Sequence, residues 1–278
     1  MTYEAWRLYF ERLVQVPEAD VPLDEAALVI ASDEYPELDV AFYLQQLDDM
    51  AETLRARIDD ARNPHSTIAK LTAYLFDELN FRGNRAEYYD PRNSFLNDVI
   101  ERRMGLPITL SVIVLAVARR LKLPIVGVGL PGHFLVKWRD EENEIVFDPF
   151  HGGEILSRSK IEQRVRESVN PTIPFQASWL DAVGSKYILI RMLSNLKSVF
   201  LQQQDIERAW QVVDKILLVD PRAGDEIRDF GLLSLRLGAY RQAAISLEQY
   251  LLAHNDASDA ELMRVYLRRA LEEIERLN

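Results

Sequence analysis

The chain has 278 residues, 48% of them hydrophobic, and it carries a formal net charge of −11. This acidic balance argues against non-specific binding to nucleic acid or to an anionic membrane surface. Because the chain contains no cysteine, it forms no disulfide and no thiolate metal site, and it has no cysteine nucleophile. Its longest apolar stretch is shorter than the roughly 20 residues that a membrane span requires, so we expect a cytoplasmic protein.

The N-terminal part of the chain predicts helices, because apolar positions recur at the spacing of helical turns. The predicted helices span residues 23–32, 38–60 and 66–79. The stretch FRGNRAEYYDPRNS, residues 81–94, interrupts this spacing with glycine, asparagine and proline and predicts a loop. A further helix over residues 95–104 follows the loop.

The next stretch, MGLPITLSVIVLAVARRLKLP, predicts a helix at the centre of a domain. Pro107 suits its first position, where no backbone donor is lost. Residues 108–118 are apolar on every side apart from Thr109 and Ser111, which indicates burial. The runs PIVGVGL, HFLVKW and EIVFDPF then predict three strands, the last two joined by a turn. One buried helix therefore precedes a small antiparallel sheet.

The C-terminal part has an internal period. Residues 201–221 align with residues 235–255, and the offset between Ala209 and Ala243 is 34 residues, the length of a tetratricopeptide unit. The last predicted helix, residues 259–277, is charged enough to cap such an array. Connections are predicted at residues 170–174 and near Gly184. We therefore predict two domains, residues 1–184 and 185–278.

His133 and Asp148 form the most suggestive pair of side chains. If the turn between their strands is even in length, residue 139 pairs with residue 144, and His133 faces Phe150. Asp148 then lies diagonally across from His133 on the same face of the sheet. A carboxylate there can orient the imidazole, as in hydrolytic triads. The same pair can also be a structural hydrogen bond.

The runs FRGNRAEYYDPRNSFLNDVIERRMGLPITLSVIVLAVARRLKLPIVGVGLPGHFLVKW and FDPFHGG, followed by the repeats, resemble the SirB-one family. Members of that family join a transglutaminase-like domain to tetratricopeptide repeats. The resemblance implies an α+β fold, with a papain-type core, helical N-terminal layers, a small antiparallel sheet and an all-α repeat unit. His133 and Asp148 match the histidine and aspartate of the superfamily pattern. The cysteine position falls near Pro107 or Ile108, and neither residue is a nucleophile.

Thr109 and Ser111 lie within one turn of that position and are the alternative nucleophiles. An alcohol needs a well-placed base to attack. Hydroxyls in a first helical turn also commonly bond to the backbone, which is a purely structural role.

The loop before the buried helix supplies candidate binding residues. Tyr88, Tyr89, Asp90, Arg92 and Asn93 form either one wall of a pocket that also contains His133, or a capping and packing loop.

His151 is a further candidate binding residue, and with His133 and Asp148 it can gather a metal ion. The histidine spacing is not that of a helical zinc motif, however, and no metal or other cofactor is predicted.

The leading hypothesis is a non-catalytic adaptor or regulatory protein that binds protein partners through its repeats. The alternative is a hydrolase or acyltransferase that uses Ser111 or Thr109 with His133 and Asp148. A third hypothesis is a sensor of a small ligand in the same pocket. None of the three involves nucleic acid or a membrane.

Overall fold

The computed structural model describes residues 2–58, 63–168 and 174–277. Within these ranges the α-helices are α1 Tyr3–Val14, α2 Leu23–Val29, α3 Val40–Arg55, α4 Pro64–Thr72, α5 Leu96–Arg102, α6 Pro107–Arg120, α7 Arg158–Ser168, α8 Ser185–Gln202, α9 Ile206–Val219, α10 Gly224–Arg236, α11 Tyr240–Ala253 and α12 Ala260–Leu277. No helix in the described part of the chain is long and apolar enough to cross a membrane.

The strands form two sheets. Their bounds are β1 Arg82–Gly83, β2 Met104–Gly105, β3 Ile125–Val128, β4 Leu135–Arg139, β5 Glu144–Asp148, β6 Glu154–Ile155 and β7 Ala182–Val183. The first two strands pair in parallel. The other five form an antiparallel sheet in the order β6-β5-β4-β3-β7. The three predicted strands are thus confirmed. The sequence pattern missed the four two-residue strands β1, β2, β6 and β7, because two residues are too short to show an alternation.

The N-terminal helices agree with the prediction, with changes at their ends. The helix predicted over residues 23–32 ends in a 3₁₀ turn, Ile30–Asp33, and the one predicted over residues 66–79 continues from α4 as a π-helix, Ala73–Glu78. The predicted end of α3 at residues 59 and 60 lies outside the described residues, as does most of the predicted connection at residues 170–174.

Helix α6 is the centre of the first domain. Pro107 occupies its first position, as predicted, and every residue from there to Ala118 is buried except Leu115. The helix contacts α2 and α3 as well as strands β3 and β4. Burial of each aliphatic side chain contributes roughly 1.5–3 kcal/mol. Because its apolar surface is covered all round, α6 is a fixed support for the sheet and for the loops around it.

The chain divides into two compact units. One comprises Met1–Tyr9 and Val16–Met192, and the other comprises Phe10–Gln15 and Leu193–Asn278. The predicted domain boundary after residue 184 stays a prediction.

In the second unit, α10 contacts both α9 and α11, and α11 contacts α12. Ala209 and Ala243, the small residues of the predicted repeat, are completely buried. A Cβ at Gly231 would lie 2.8 Å from Leu247 Cγ, so close helix packing requires glycine there.

Two adjacent glycines after β5, in the first unit, allow backbone strain to be separated from a steric clash. Both have positive φ, 68° at Gly152 and 77° at Gly153, but only Gly153 faces an obstacle, the methyl group of Thr72. We expect Gly152→Ala to lower the free energy of unfolding by about 1 kcal/mol through backbone strain. Gly153→Ala adds a steric clash and should cost roughly 2–4 kcal/mol. Urea denaturation of both variants measures the difference, and equal losses would contradict the clash.

Candidate functional site

His133 lies in the turn between β3 and β4, just before β4 begins. Its side chain is only 8% exposed. Arg191 on α8 fastens this turn, because its guanidinium donates to the carbonyl of Leu130 at 2.8 Å and to that of His133 at 3.0 Å. The backbone that carries the imidazole is therefore held by two charge-assisted hydrogen bonds.

Asp148 ends β5 and is completely buried. Arg139 pairs with Glu144 as the even turn predicts, and the register places Asp148 beside His133. The Nε2 atom of His133 lies 2.9 Å from the Oδ2 atom of Asp148. The other carboxylate oxygen, Oδ1, accepts from the backbone N–H of Phe150 at 3.0 Å. The predicted juxtaposition of the two side chains is confirmed.

His151 joins the pair from the 3₁₀ turn that follows β5. Its Nδ1 atom lies 2.7 Å from Asp148 Oδ2, and its Nε2 atom lies 3.2 Å from Nη1 of Arg164. A guanidinium can only donate, so Nε2 of His151 is the acceptor. Nδ1 therefore carries the ring proton and donates it to Asp148. The carboxylate thus accepts from two imidazoles through one oxygen.

These hydrogen bonds set the charge of Asp148. Burial by itself would raise the pKa of this carboxyl group, but the hydrogen bonds from His133 and His151 outweigh it. The pKa of Asp148 consequently lies well below its usual range. The guanidinium of Arg164, 3.8 Å from Oδ2, adds positive charge beside the carboxylate.

The other ring nitrogen of His133, Nδ1, is left for a different partner. His133 lines a cavity of about 340 Å³. The remaining lining residues are Tyr88, Pro107, Gly132, Phe150, His151 and Arg164. Pro107 is the first residue of α6, so the start of the buried helix and the histidine share this cavity.

The two alternative nucleophiles lie elsewhere. Thr109 and Ser111 are completely buried, and neither lines the cavity. The Thr109 hydroxyl donates to the carbonyl of Asn93 at 2.8 Å and accepts from the N–H of Leu106 at 2.9 Å. The Ser111 hydroxyl donates to the carbonyl of Pro107 at 2.7 Å. Both hydroxyls therefore bond to the backbone rather than to His133.

Of the predicted binding residues in the loop, Tyr88 lines the cavity, where its ring meets that of Phe150 edge-on at 6.2 Å. Tyr89 packs on Tyr88 and is mostly exposed. Asp90 and Arg92 form an ion pair at 2.8 Å. Their role in binding stays a prediction.

Asn93 has a structural place in the same loop. It is fully buried, accepts from the amide of Asn84 at 3.1 Å and donates to the carbonyl of Glu87 at 2.6 Å. The role of Asn93 in binding also stays a prediction.

The positions of His133, Asp148 and His151 also show whether these residues could hold a metal ion. One ligand atom each from His133, Asp148 and His151 lie within 4.8 Å of one another. However, both imidazoles are at hydrogen-bond distance from a single carboxylate oxygen, and Arg164 holds the far nitrogen of His151. An adjacent guanidinium disfavours a bound cation, so this donor set fits a hydrogen-bond network better than a metal centre.

Sequence reasoning missed Arg164 and Arg191. Both are arginines on helices far along the chain from His133, and a charged residue on a helix normally indicates a solvated face. Only the tertiary fold brings them to the site.

The low pKa of Asp148 predicts how the ionisation of this residue and the stability of the protein depend on pH. We expect its carboxyl group to remain ionised at about pH 3, where an ordinary aspartate, with a pKa near 3.9, is mostly protonated. Its contribution to stability is complete above about pH 3.9 and is lost as the pH falls below that value. The ¹³C shift of the carboxyl carbon, assigned with Asp148→Asn, measures the titration. A midpoint near 3.9 would contradict the hydrogen-bond network.

Comparison with known proteins identifies both parts of the chain. The sequence model of the transglutaminase-like superfamily matches residues 41–194, and a tetratricopeptide-repeat model matches residues 196–268. A UPF0162 protein of Xylella fastidiosa (strain 9a5c) is 38% identical over 258 residues, which cover 92% of each chain.

More distant relatives match as well. Protein SirB1 of Salmonella typhimurium is 25% identical over 227 residues, 81% of this chain and 84% of that protein. F-box only protein 21 of Mus musculus is 33% identical over 147 residues, 50% of this chain and 22% of that protein. No solved structure matches the chain. The chain therefore belongs to the SirB-one family, in which a transglutaminase-like domain precedes tetratricopeptide repeats.

Proposed function

We propose that this chain is a non-catalytic adaptor that acts in the cytoplasm, with a degenerate transglutaminase-like domain and protein-binding repeats. The observation that carries this proposal is the place of Pro107. It lines the cavity beside His133, at the start of α6, and the family resemblance puts the nucleophile near Pro107 or Ile108. A proline side chain has no atom that can attack a carbonyl.

The remaining members of the triad support binding rather than turnover. A histidine oriented by an aspartate activates a neighbouring nucleophile, and without one it can only exchange protons or form hydrogen bonds. His133 and Asp148 together with His151 and Arg164 make a rigid polar wall. That wall suits the recognition of a polar group in the cavity.

The repeats supply a second surface for a partner. In the second unit, α8, α10 and α12 enclose a cavity of about 460 Å³. Leu201, Leu232 and Tyr266 give it apolar walls. Asp229 also lines it and is paired with Lys197 and Arg228. Arg236 and Arg269 line it as well, and the structure gives neither an ion-pair partner among the described residues. Two unpaired guanidinium groups beside apolar walls fit a partner segment that carries both acidic and apolar side chains.

The enzymatic alternative requires Ser111 or Thr109 to reach His133. Each hydroxyl would first have to leave a hydrogen bond to a backbone carbonyl inside a buried helix turn. Leaving a buried polar group unsatisfied costs about 1–3 kcal/mol. This cost favours the adaptor over a hydrolase or acyltransferase.

Chemical labelling distinguishes the two functions. We expect a fluorophosphonate probe to label neither Thr109 nor Ser111, because both hydroxyls are buried and bonded to carbonyls. Mass spectrometry of the treated protein, with His133→Ala as the control, measures this directly. Labelling of either residue that disappears in His133→Ala would establish the enzyme and refute the adaptor.

Partner capture tests the repeats. We expect a partner retained by the wild-type chain to be lost from the double variant Arg236→Glu, Arg269→Glu, because the change reverses two charges in the repeat cavity. It should be retained by His133→Ala. Arg222→Glu, an exposed arginine outside the cavity, is the matched control. Loss in His133→Ala alone would instead place recognition in the transglutaminase-like domain.

A further inference from the structure

A second cavity in the first unit, of about 580 Å³, opens between residues 34–39 and helices α3 and α5. It shares no lining residue with the cavity beside His133. Five of its eleven lining residues are acidic, and none of these described residues is basic. The acidic residues are Glu34, Glu37, Asp39, Asp98 and Glu101.

The inner wall contains two acidic side chains that are bonded to tyrosines, one of them buried and the other, Glu101, exposed. Asp98 is 8% exposed and accepts from the hydroxyl of Tyr35 at 2.7 Å. Glu101 accepts from the hydroxyl of Tyr43. Burial, followed by the bonded carboxylates, raises the pKa of both tyrosines, so they remain donors. Each phenol occupies one acceptor site of its carboxylate, and an ionised carboxylate has further acceptor sites for another donor.

Two arginines, Arg92 and Arg102, lie close enough to act on Asp98. Burial raises the pKa of Asp98, and the charges of the two arginines oppose that rise without cancelling it. Both arginines, however, bind Asp90, with Nη2–Oδ2 distances of 2.8 and 3.1 Å. Neither arginine lines the cavity, and its five acidic lining residues leave it with an excess of negative charge.

An independent observation concerns Asn97, which also lines the cavity. Its side chain is 3% exposed, and among the described residues its Oδ1 atom has no hydrogen-bond partner. A buried acceptor without a donor costs about 1–3 kcal/mol. An amide oxygen in this position, among carboxylates, calls for a donor from a ligand.

The outer wall is aromatic. Phe42 is 55% exposed, and its ring meets that of Tyr43 edge-on at 5.3 Å. Aromatic faces attract cations, and they also cover the methylene groups of a long cationic side chain. The cavity thus combines carboxylates, an unmatched acceptor and aromatic rings.

We propose that this cavity binds an alkylammonium or guanidinium group. The carboxylates of Asp98 and Glu101 supply the ionic contacts, Asn97 accepts a hydrogen bond, and Phe42 covers the alkyl chain. The net charge of −11 steers cations toward the chain as a whole. The group comes either from a free polyamine or from a lysine or arginine side chain of another protein.

Calorimetric titration of the full chain tests the proposal at about 50 mM NaCl, where charge attraction is only moderately screened. The probes are spermidine and the capped tripeptides Gly-Lys-Gly and Gly-Arg-Gly, with Gly-Gln-Gly as the uncharged control. We expect saturable binding of spermidine or of a charged tripeptide. Glu101→Gln retains an acceptor for Tyr43 but loses the charge, and it should weaken binding roughly fivefold or more. Phe42→Leu should weaken it about threefold.

The controls separate this site from diffuse attraction to an acidic protein. Glu141→Gln removes the same charge in the turn between β4 and β5, outside the cavity, and should leave binding unchanged. Glu37→Gln, at the exposed rim, weakens binding without risk to folding. Spermidine binding alone identifies a polyamine as the source, and tripeptide binding identifies a protein side chain. Equal effects of Glu101→Gln and Glu141→Gln, or no saturable binding of any charged probe, would overturn the proposal.

Discussion

The carboxylate of Asp148 holds the polar site together. It accepts hydrogen bonds from His133, from His151 and from the N–H of Phe150, and it does so from complete burial at the end of a central strand. A buried carboxylate without hydrogen-bond partners is strongly unfavourable, so the ionised form of Asp148 depends on these bonds. The position of both imidazoles, and hence the shape of the cavity, follows from this one group.

The support for that group comes from apolar packing. Helix α6 is covered by α2 and α3 on one part of its surface and by β3 and β4 on another. The arrangement keeps the papain-type geometry of helix start, histidine and aspartate. At the helix start, however, it presents Pro107. A shared fold does not by itself fix the chemistry that its site performs, so the function of this chain has to be argued from the residues at the site.

The sequence predicts the parts of this structure that depend on periodicity. The alternation in the strands and the even length of their turn were sufficient to bring His133 next to Asp148, and the 34-residue offset was sufficient to predict the repeats. It does not predict Arg164 and Arg191, because their contacts arise from the packing of helices distant in the chain. Nor does it predict the acidic cavity, whose walls come from residues 34–43 and 97–101.

The proline at the start of α6 also has a consequence for redox chemistry. Enzymes with a thiolate at a helix N-terminus are sensitive to peroxide and to alkylating agents, because the same low pKa that activates the sulfur exposes it to oxidation. This chain has no cysteine at all, and the cavity beside His133 contains no sulfur atom. No thiol of this chain can therefore respond to the oxidation state of the surroundings, and a single cysteine introduced at position 107 would be a unique thiol with which to observe this cavity.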